Sequence, residues 1–271
     1  MSDASASPLE RCLSREVARG RSVLCTVLAD LTVVQRFCSG ADKATNHARD
    51  LISCFLKESV PVGWRAEYVS VKGLPLGPWV VDLAARLRAL DRYRPLLTRV
   101  AVTGGARGGG AVGSGIGSGA GGAADGKNSL FWVGGMFVPE SFVTATRQHA
   151  AQTNGWSLEE LELFLDIGIN AVEGTMDTVI EGVVLESAHW SAGTGVVLST
   201  DLRCPLPPSR LRWYTSAARK EKYPETITLP VYLNDSRSSL VVEVFLPAPK
   251  TLSKLALAQR GVALVMQVTE H

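Results

Sequence analysis

The sequence has no excess of charge of one sign and no long apolar run. Its 271 residues include 28 Lys and Arg against 26 Asp and Glu, which gives a formal net charge of +2. Nucleic-acid-binding proteins usually carry a clear basic excess, so this balance argues against that class. No stretch of about 20 apolar residues is present to span a bilayer, and the first eight residues lack the apolar core of a signal peptide. We therefore expect a cytoplasmic protein.

Cysteine is also scarce. The five cysteines are odd in number and show no CxxC spacing, which argues against a disulfide framework and against a zinc ribbon. We expect them to be buried free thiols. They are Cys12, Cys25, Cys38, Cys54 and Cys204.

Residues 1–99 are predicted to be a helical region. The first helix starts at a capping box, in which Ser7 and Glu10 satisfy free backbone N–H groups. Pro95 is expected to end the last helix of this region. The predicted helices are Ser7–Ser39, Ala41–Lys57 and Pro78–Tyr93.

Apolar residues recur at helical spacing in each of these helices. The first two helices are expected to pack as a hairpin. In the third, Val80 and Leu83 are predicted to point inward, with Leu87 and Leu90, while Asp82 pairs with Arg86 on the outer face. The stripe of the first helix comprises Leu13, Val17, Leu24, Leu28 and Leu31, and that of the second comprises Ala44, Ala48, Leu51, Ile52 and Phe55.

Glycine is concentrated in one segment, residues 104–126. Twelve of these 23 residues are glycine, against 14 in the other 248. So few apolar side chains cannot offset the entropy lost on ordering, and we expect a disordered insert.

Residues 130–271 are predicted to form an α+β domain. A helix at Pro139–Asn154, closed by Gly155, precedes short strands separated by turns, a pattern that suggests an antiparallel barrel or sandwich. Pro230 cannot donate to a ladder, so its strand is expected to lie at an edge or to carry a bulge. The predicted strands are Leu130–Phe137, Ile180–Trp190, Gly195–Leu198, Leu211–Tyr214, Ile227–Leu233, Leu240–Leu246 and Val262–Val268.

One motif suggests a dinucleotide-dependent oxidoreductase. Residues 103–110, Thr103 to Gly110, match the TGxxxGxG fingerprint of short-chain dehydrogenases. That site needs a helix starting at the glycines, whereas here more glycines follow. The Tyr and Lys that such enzymes use are found only upstream, as Tyr68 and Lys72. We retain this interpretation as a minor alternative.

Other motifs predict no catalytic, cofactor-binding or metal-binding residue. Residues 117–122 fit GxGxxG and residues 121–127 fit GxxxxGK, but Asn128 stands where a P-loop needs Ser or Thr. The histidines have no partner at ligand spacing, and the acidic cluster is expected to be solvated. The histidines are His47, His149, His189 and His271, and the cluster comprises Glu159, Glu160, Glu162 and Asp166.

The sequence around the predicted helix at Pro139 closely resembles the C-terminal domain of dynein heavy chains. Residues 131–142 read FWVGGMFVPESF, and the similarity continues through TATRQ at 144–148 and WSLEEL at 156–161. The latter two segments look more like the cytoplasmic class than the axonemal classes. Supporting matches are PWVVDL at 78–83, LPVYLN at 229–234 and RGVAL at 260–264.

The resemblance implies a helical part, comprising the end of the last ring module and the start of the C-terminal domain, followed by a helix-supported antiparallel β-barrel. It also implies a non-catalytic segment of an ATP-driven, minus-end-directed microtubule motor. ATP and Mg²⁺ would bind in ring modules of the parent polypeptide. The segment would pack on the AAA+ ring of its own heavy chain and regulate the motor, in a cytoplasmic, cytoskeleton-associated dynein complex.

A specific docking surface follows from the helical pattern. We expect the stripe around Leu24, Leu28 and Leu31 to dock on ring modules outside this segment. A free-standing interaction module that shares ancestry with dynein, but works alone, is the other alternative.

Overall fold

The computed structural model describes residues 6–43, 45–68, 73–103, 130–168, 178–249 and 252–266. The predicted glycine-rich insert at 104–126 lies outside these residues, as does Ala44.

Helices make up the described part of the first 103 residues. The capping box of the first helix is confirmed, since Ser7 Oγ accepts from the Glu10 N–H and the Glu10 carboxylate accepts from the Ser7 N–H. The first two helices pack on each other as the predicted hairpin. The helices are α1 (Pro8–Cys38), α2 (Asn46–Leu56), α3 (Val62–Glu67) and α4 (Leu76–Thr103).

Helix α4 continues past Pro95, so the predicted end of this helix is wrong. The turn before the proline carries Leu90 and Tyr93, which are both buried. Packing of these side chains outweighs the backbone hydrogen bond that the proline removes. Two side chains of α4 also differ from the prediction, because Val80 is exposed and Leu87 is only partly buried.

The second part is a nine-stranded sheet with three further helices. The helix before Gly155 and the left-handed cap at that glycine are confirmed. The elements are β1 (Leu130–Trp132), α5 (Pro139–Asn154), β2 (Leu161–Ile167), β3 (Thr178–Glu181), β4 (Val183–Ser191), β5 (Gly195–Pro205), β6 (Ser209–Thr215), α6 (Ser216–Lys222), β7 (Thr226–Tyr232), β8 (Leu240–Pro247), α7 (Lys254–Arg260) and β9 (Ala263–Met266).

The sheet is mixed rather than antiparallel. Its strand order is β1-β3-β6-β2-β8-β7-β9-β4-β5. Three neighbouring pairs run parallel, namely β1 with β3, β2 with β8 and β7 with β9. Among the described residues the terminal strands β1 and β5 do not pair, so the sheet is not closed by hydrogen bonds. The α+β class is confirmed, whereas closure into a barrel is not.

Strand β7 shows how the sheet accommodates a proline. The strand lies between β8 and β9, so the edge position predicted for Pro230 is wrong, but a register shift follows directly between Val231 and Tyr232. The predicted alternation holds, because Ile227, Leu229 and Val231 are all buried.

Two apolar cores hold the molecule together. The larger one lies between α5 and the sheet and includes Phe142, Leu163 and Leu264. The smaller one lies among α1, α3 and α4, where Trp64 and Trp79 stack with their rings 5.6 Å apart. The cysteines are free, as predicted, but their predicted burial is correct only for Cys12.

Candidate docking surface

Helix α1 has one buried face and one exposed apolar edge. Its buried positions recur every three or four residues, which places them on one side of the helix. The buried residues are Pro8, Cys12, Leu13, Glu16, Gly20, Val23 and Val27. The predicted stripe is therefore divided: Leu13 is buried, and the later leucines lie beside the buried face.

The exposed edge consists of three leucines, which we call the α1 stripe. Leu24 is 37% exposed, Leu28 52% and Leu31 44%. Their spacing of four and three residues places them on the same side of the helix. Scattered apolar residues are normal on a surface, but three in a row along one helix leave a continuous apolar strip in contact with water.

A buried polar junction fixes the helical part to the strands. Arg86 and Asp82, predicted on the outer face of α4, form a buried ion pair at 3.0 Å, with each side chain 2% exposed. Arg86 also donates to the Met136 carbonyl at 3.0 Å and lies over the rings of Tyr68 and Trp132. These partners satisfy the guanidinium without water, so the outward prediction is wrong.

Glu16 ties α1 directly to α5. Its carboxylate accepts from the Phe137 N–H at 2.7 Å and from the Val138 N–H at 2.9 Å. Val138 caps α5 but offers no side-chain hydrogen bond there, so Glu16 supplies the negative charge at this helix start. The α1 stripe is thus carried on a helix anchored to the sheet-bearing part.

Burial dominates the electrostatics of the junction. It raises the pKa of the Glu16 carboxyl, while the N–H groups of Phe137 and Val138 lower that pKa. The pKa of Tyr68 is also raised by burial, and its hydroxyl donates to Asp82. Burial raises the pKa of Tyr93 to about 12 and that of the Cys12 thiol to about 11. Cys12 therefore stays protonated near neutral pH and is a poor nucleophile.

The dinucleotide fingerprint lacks its strand. Helix α4 extends to Thr103, so the residues directly before the glycines are helical. A dinucleotide site needs a strand at this position. Residues 104–128, which include both other glycine motifs, and Lys72 lie outside the described residues. Tyr68 is engaged in the buried junction with Asp82.

The histidines and acidic residues do not converge. His47 contacts Asp30 at 2.8 Å, His189 lies in β4 opposite Val197, and His149 is on α5. Glu162 pairs with Arg219, and Asp166 lies 3.6 Å from Arg212. His271 lies outside the described residues.

Glu159 and Glu160 lie in a 3₁₀ turn, Leu158–Glu160. Within the described ranges, no group of three His, Cys, Asp or Glu side chains is placed to hold a metal ion. The same ranges include no helix that is long and apolar enough to cross a membrane.

The sequence interpretation missed both acidic groups of the junction. Glu16 lies four residues after Cys12 and four before Gly20, so it falls on the buried face of α1. A carboxylate at such a position was the available signal. For Asp82 and Arg86 there was none, because the same spacing is typical of exposed helical ion pairs.

Comparisons with known proteins identify relatives over nearly the whole sequence. The sequence model of the C-terminal domain of the dynein heavy chain matches residues 1–266. The relative named "Dynein heavy chain, cytoplasmic" from Drosophila melanogaster is 30% identical over 95% of this chain, and its counterpart from Dictyostelium discoideum is 29% identical over 95%. "Dynein axonemal heavy chain 9" from Homo sapiens is 26% identical over 83%. The chain spans about 5% of the length of the cytoplasmic relatives and 4% of the axonemal one.

Proposed function

The chain belongs to the family of dynein heavy-chain domains found at the C-terminus, and from that premise we propose that it is the C-terminal, non-catalytic region of a cytoplasmic dynein heavy chain. In this proposal it packs on the AAA+ ring of the same heavy chain and regulates an ATP-driven, minus-end-directed microtubule motor. ATP and Mg²⁺ bind elsewhere in that heavy chain. Residues 1–99, 104–126 and 130–271 remain the proposed helical region, insert and barrel-containing domain.

The α1 stripe is the observation that carries this proposal. Three leucines lie exposed on one side of a helix whose opposite positions are buried in the core. The relatives are about twenty times longer than this chain, so most of a heavy chain lies outside the structure and is available to cover the stripe. The ring modules of the same heavy chain are the proposed occupant.

The size of the effect fits a regulatory contact. Fully burying a leucine contributes about 1.5–3 kcal/mol, so covering three half-exposed leucines contributes about 2–4 kcal/mol. Typical coupling free energies between sites are about 1–3 kcal/mol. A ring conformation that covers the stripe would be favoured over one that leaves it exposed, and no catalytic group on this segment is needed.

The polar junction supports the same proposal. Regulation of a ring requires that a contact on α1 is passed on to the rest of the domain. Glu16 joins α1 to α5, and Arg86 joins α4 to the segment before α5. The stripe and the sheet would therefore move together when the ring changes conformation.

The subclass and location follow from the same relatives. Relatives named cytoplasmic are 29–30% identical to this chain, and axonemal ones are 24–26% identical. A cytoplasmic, cytoskeleton-associated motor is the corresponding proposal, with the dynein complex and microtubules as partners through the parent polypeptide.

The proposal is tested by replacing the stripe in the full heavy chain. A variant with Leu24→Ser, Leu28→Ser and Leu31→Ser should change the motor's ATPase rate by about threefold or more, since it removes about 2–4 kcal/mol of docking. The matched control is Leu240→Ser with Leu255→Ser, which changes two exposed leucines of the sheet-bearing part.

Unchanged ATPase and motility in the stripe variant would contradict ring docking through α1. An equal effect of the control pair would also contradict it. Circular dichroism of the 271-residue protein with each set of changes verifies that the fold is retained.

A further inference from the structure

A second apolar surface lies where the end of α1 meets α2. A groove with a volume of about 330 Å³ is lined by six side chains, and we call it the α1–α2 groove. Its apolar members are Phe37 from α1 and Ile52 and Leu56 from α2. Leu56 is 82% exposed, more than any residue of the α1 stripe. The remaining lining residues are Arg49, Ser53 and Lys57.

Helix α2 is apolar on two sides. Ala48 and Leu51 are buried, and Phe55 packs against Trp64. Ile52 and Leu56, spaced four residues apart, line the groove instead. The apolar face predicted for α2 is therefore divided, and part of it is left open to a partner from outside the described residues.

The groove is edged by basic side chains. No carboxylate is among its lining residues. Among the described residues, Lys57 forms no ion pair, and the side chain of Arg49 makes only a 3.5 Å contact with Asn46. By contrast, nearby Arg36 is paired with Asp42 at 2.7 Å. Two cations without carboxylate partners beside exposed apolar side chains complement a ligand that is both apolar and acidic.

The groove faces a different direction from the α1 stripe. Phe37 follows Leu28 by nine residues, which corresponds to about half a turn around the helix axis at about 100° per residue. One ring surface that covers the stripe would leave the groove open. The occupant is therefore sought in a separate polypeptide.

We propose that the α1–α2 groove binds an amphipathic helix of a separate polypeptide, with apolar residues toward Phe37, Ile52 and Leu56 and acidic residues toward Arg49 and Lys57. Laying an apolar helix face into a groove is a common mode of peptide recognition. The basic edge determines which helices bind, because a helix with basic flanks meets like charges there. This surface is additional to the proposed ring contact.

Two synthetic peptides test the proposal against the 271-residue protein. Both carry leucines at positions i, i+3, i+4 and i+7 of a helix, and the remaining positions are glutamate-rich in one and lysine-rich in the other. The glutamate peptide should bind about tenfold more tightly in a fluorescence anisotropy titration, because each exposed charge pair contributes up to about 1 kcal/mol. Salt should weaken this preference.

Variants locate the binding. Arg49→Glu with Lys57→Glu should reverse the preference between the peptides, and Leu56→Ser should weaken binding of both. Leu255→Ser is the matched control, since Leu255 is also exposed, at 67%, but lies on α7. These positions are exposed, so the fold should persist, which circular dichroism verifies.

Equal binding of the two peptides, or no binding at about millimolar peptide, would overturn the proposal, since helix-in-groove contacts reach about micromolar affinity or better. A loss of binding in Leu255→Ser equal to that in Leu56→Ser would overturn it as well. Failure here leaves ring docking through the α1 stripe unaffected, because the two surfaces share no residue.

Discussion

Arg86 contacts both parts of the molecule from a fully buried position. It pairs with Asp82 on its own helix and donates to the Met136 carbonyl before α5. Replacing one partner of a buried ion pair leaves the other charge uncompensated, so Arg86→Met should lower the free energy of unfolding by about 3–5 kcal/mol. Urea unfolding followed by circular dichroism measures this change.

The double variant Asp82→Leu with Arg86→Met is the control for that prediction. Removing both charges should cost less than removing Arg86 alone, because no unpaired charge remains. A loss below about 1 kcal/mol in Arg86→Met would show that the pair is not buried in solution, since exposed pairs contribute about that much or less.

Glu16 gives the fold a pH dependence of defined sign. Burial raises the pKa of its carboxyl above the ordinary value of 4.5. The folded state therefore holds this proton to higher pH than the unfolded state does, and the stability contributed by Glu16 falls as pH rises from 4.5 through the folded pKa. In Glu16→Gln this dependence should disappear.

Urea unfolding of the wild type and Glu16→Gln at a series of pH values, starting near the ordinary carboxyl pKa of 4.5, measures the difference. The wild type should lose stability relative to the variant as pH rises. A relative gain of the wild type over that range would contradict the assignment, because it would mean that the folded state favours the ionised carboxylate.

At the scale of elements, the turn from β4 to β5 depends on one glycine. Gly195 has a φ of +82°, and a Cβ there would lie 2.5 Å from the Pro247 carbonyl oxygen at the end of β8. Gly195→Ala should lower the free energy of unfolding by about 2–4 kcal/mol, from backbone strain together with a clash that backbone atoms cannot relieve.

Gly193 in the same turn is the control, because nothing lies within 4 Å of the position its Cβ would take. Gly193→Ala should change stability by less than about 1 kcal/mol. Equal effects of the two substitutions, measured by thermal or urea unfolding, would show that β5 and β8 are not in contact as described.

The sequence predicted elements better than it predicted their partners. The capping box at Ser7 and the alternation at Ile227 to Val231 depend on local spacing, and both are confirmed. Strand β2 was missed because Leu161–Ile167 follows acidic residues that are typical of a helix start. The parallel pair of β2 with β8 depends on contacts between distant segments, which local patterns do not report.

The candidate surface shows the same division. Periodicity placed Leu24, Leu28 and Leu31 on one side of α1, and their exposure agrees with the docking hypothesis. The burial of Asp82 and Arg86 could not be predicted, because it requires Tyr68, Trp132 and the Met136 carbonyl to meet around them. Only folding brings these groups together.

At the scale of the whole molecule, the proposed function requires that this sequence is one end of a much larger polypeptide. The matched relatives are about twenty times longer, and the α1 stripe needs a covering surface from outside the described structure. The barrel-containing domain and the helical region would then work as one regulatory module on the ring.

The mass of the endogenous polypeptide tests this claim most directly. An antibody raised against residues 139–160, which form α5 and the turn after it, detects the protein on a denaturing gel. Ring regulation by this segment predicts a band of several hundred kilodaltons, in proportion to the relatives' length. A band near 28.9 kDa would contradict it and would favour a separate interaction module over a segment of a motor.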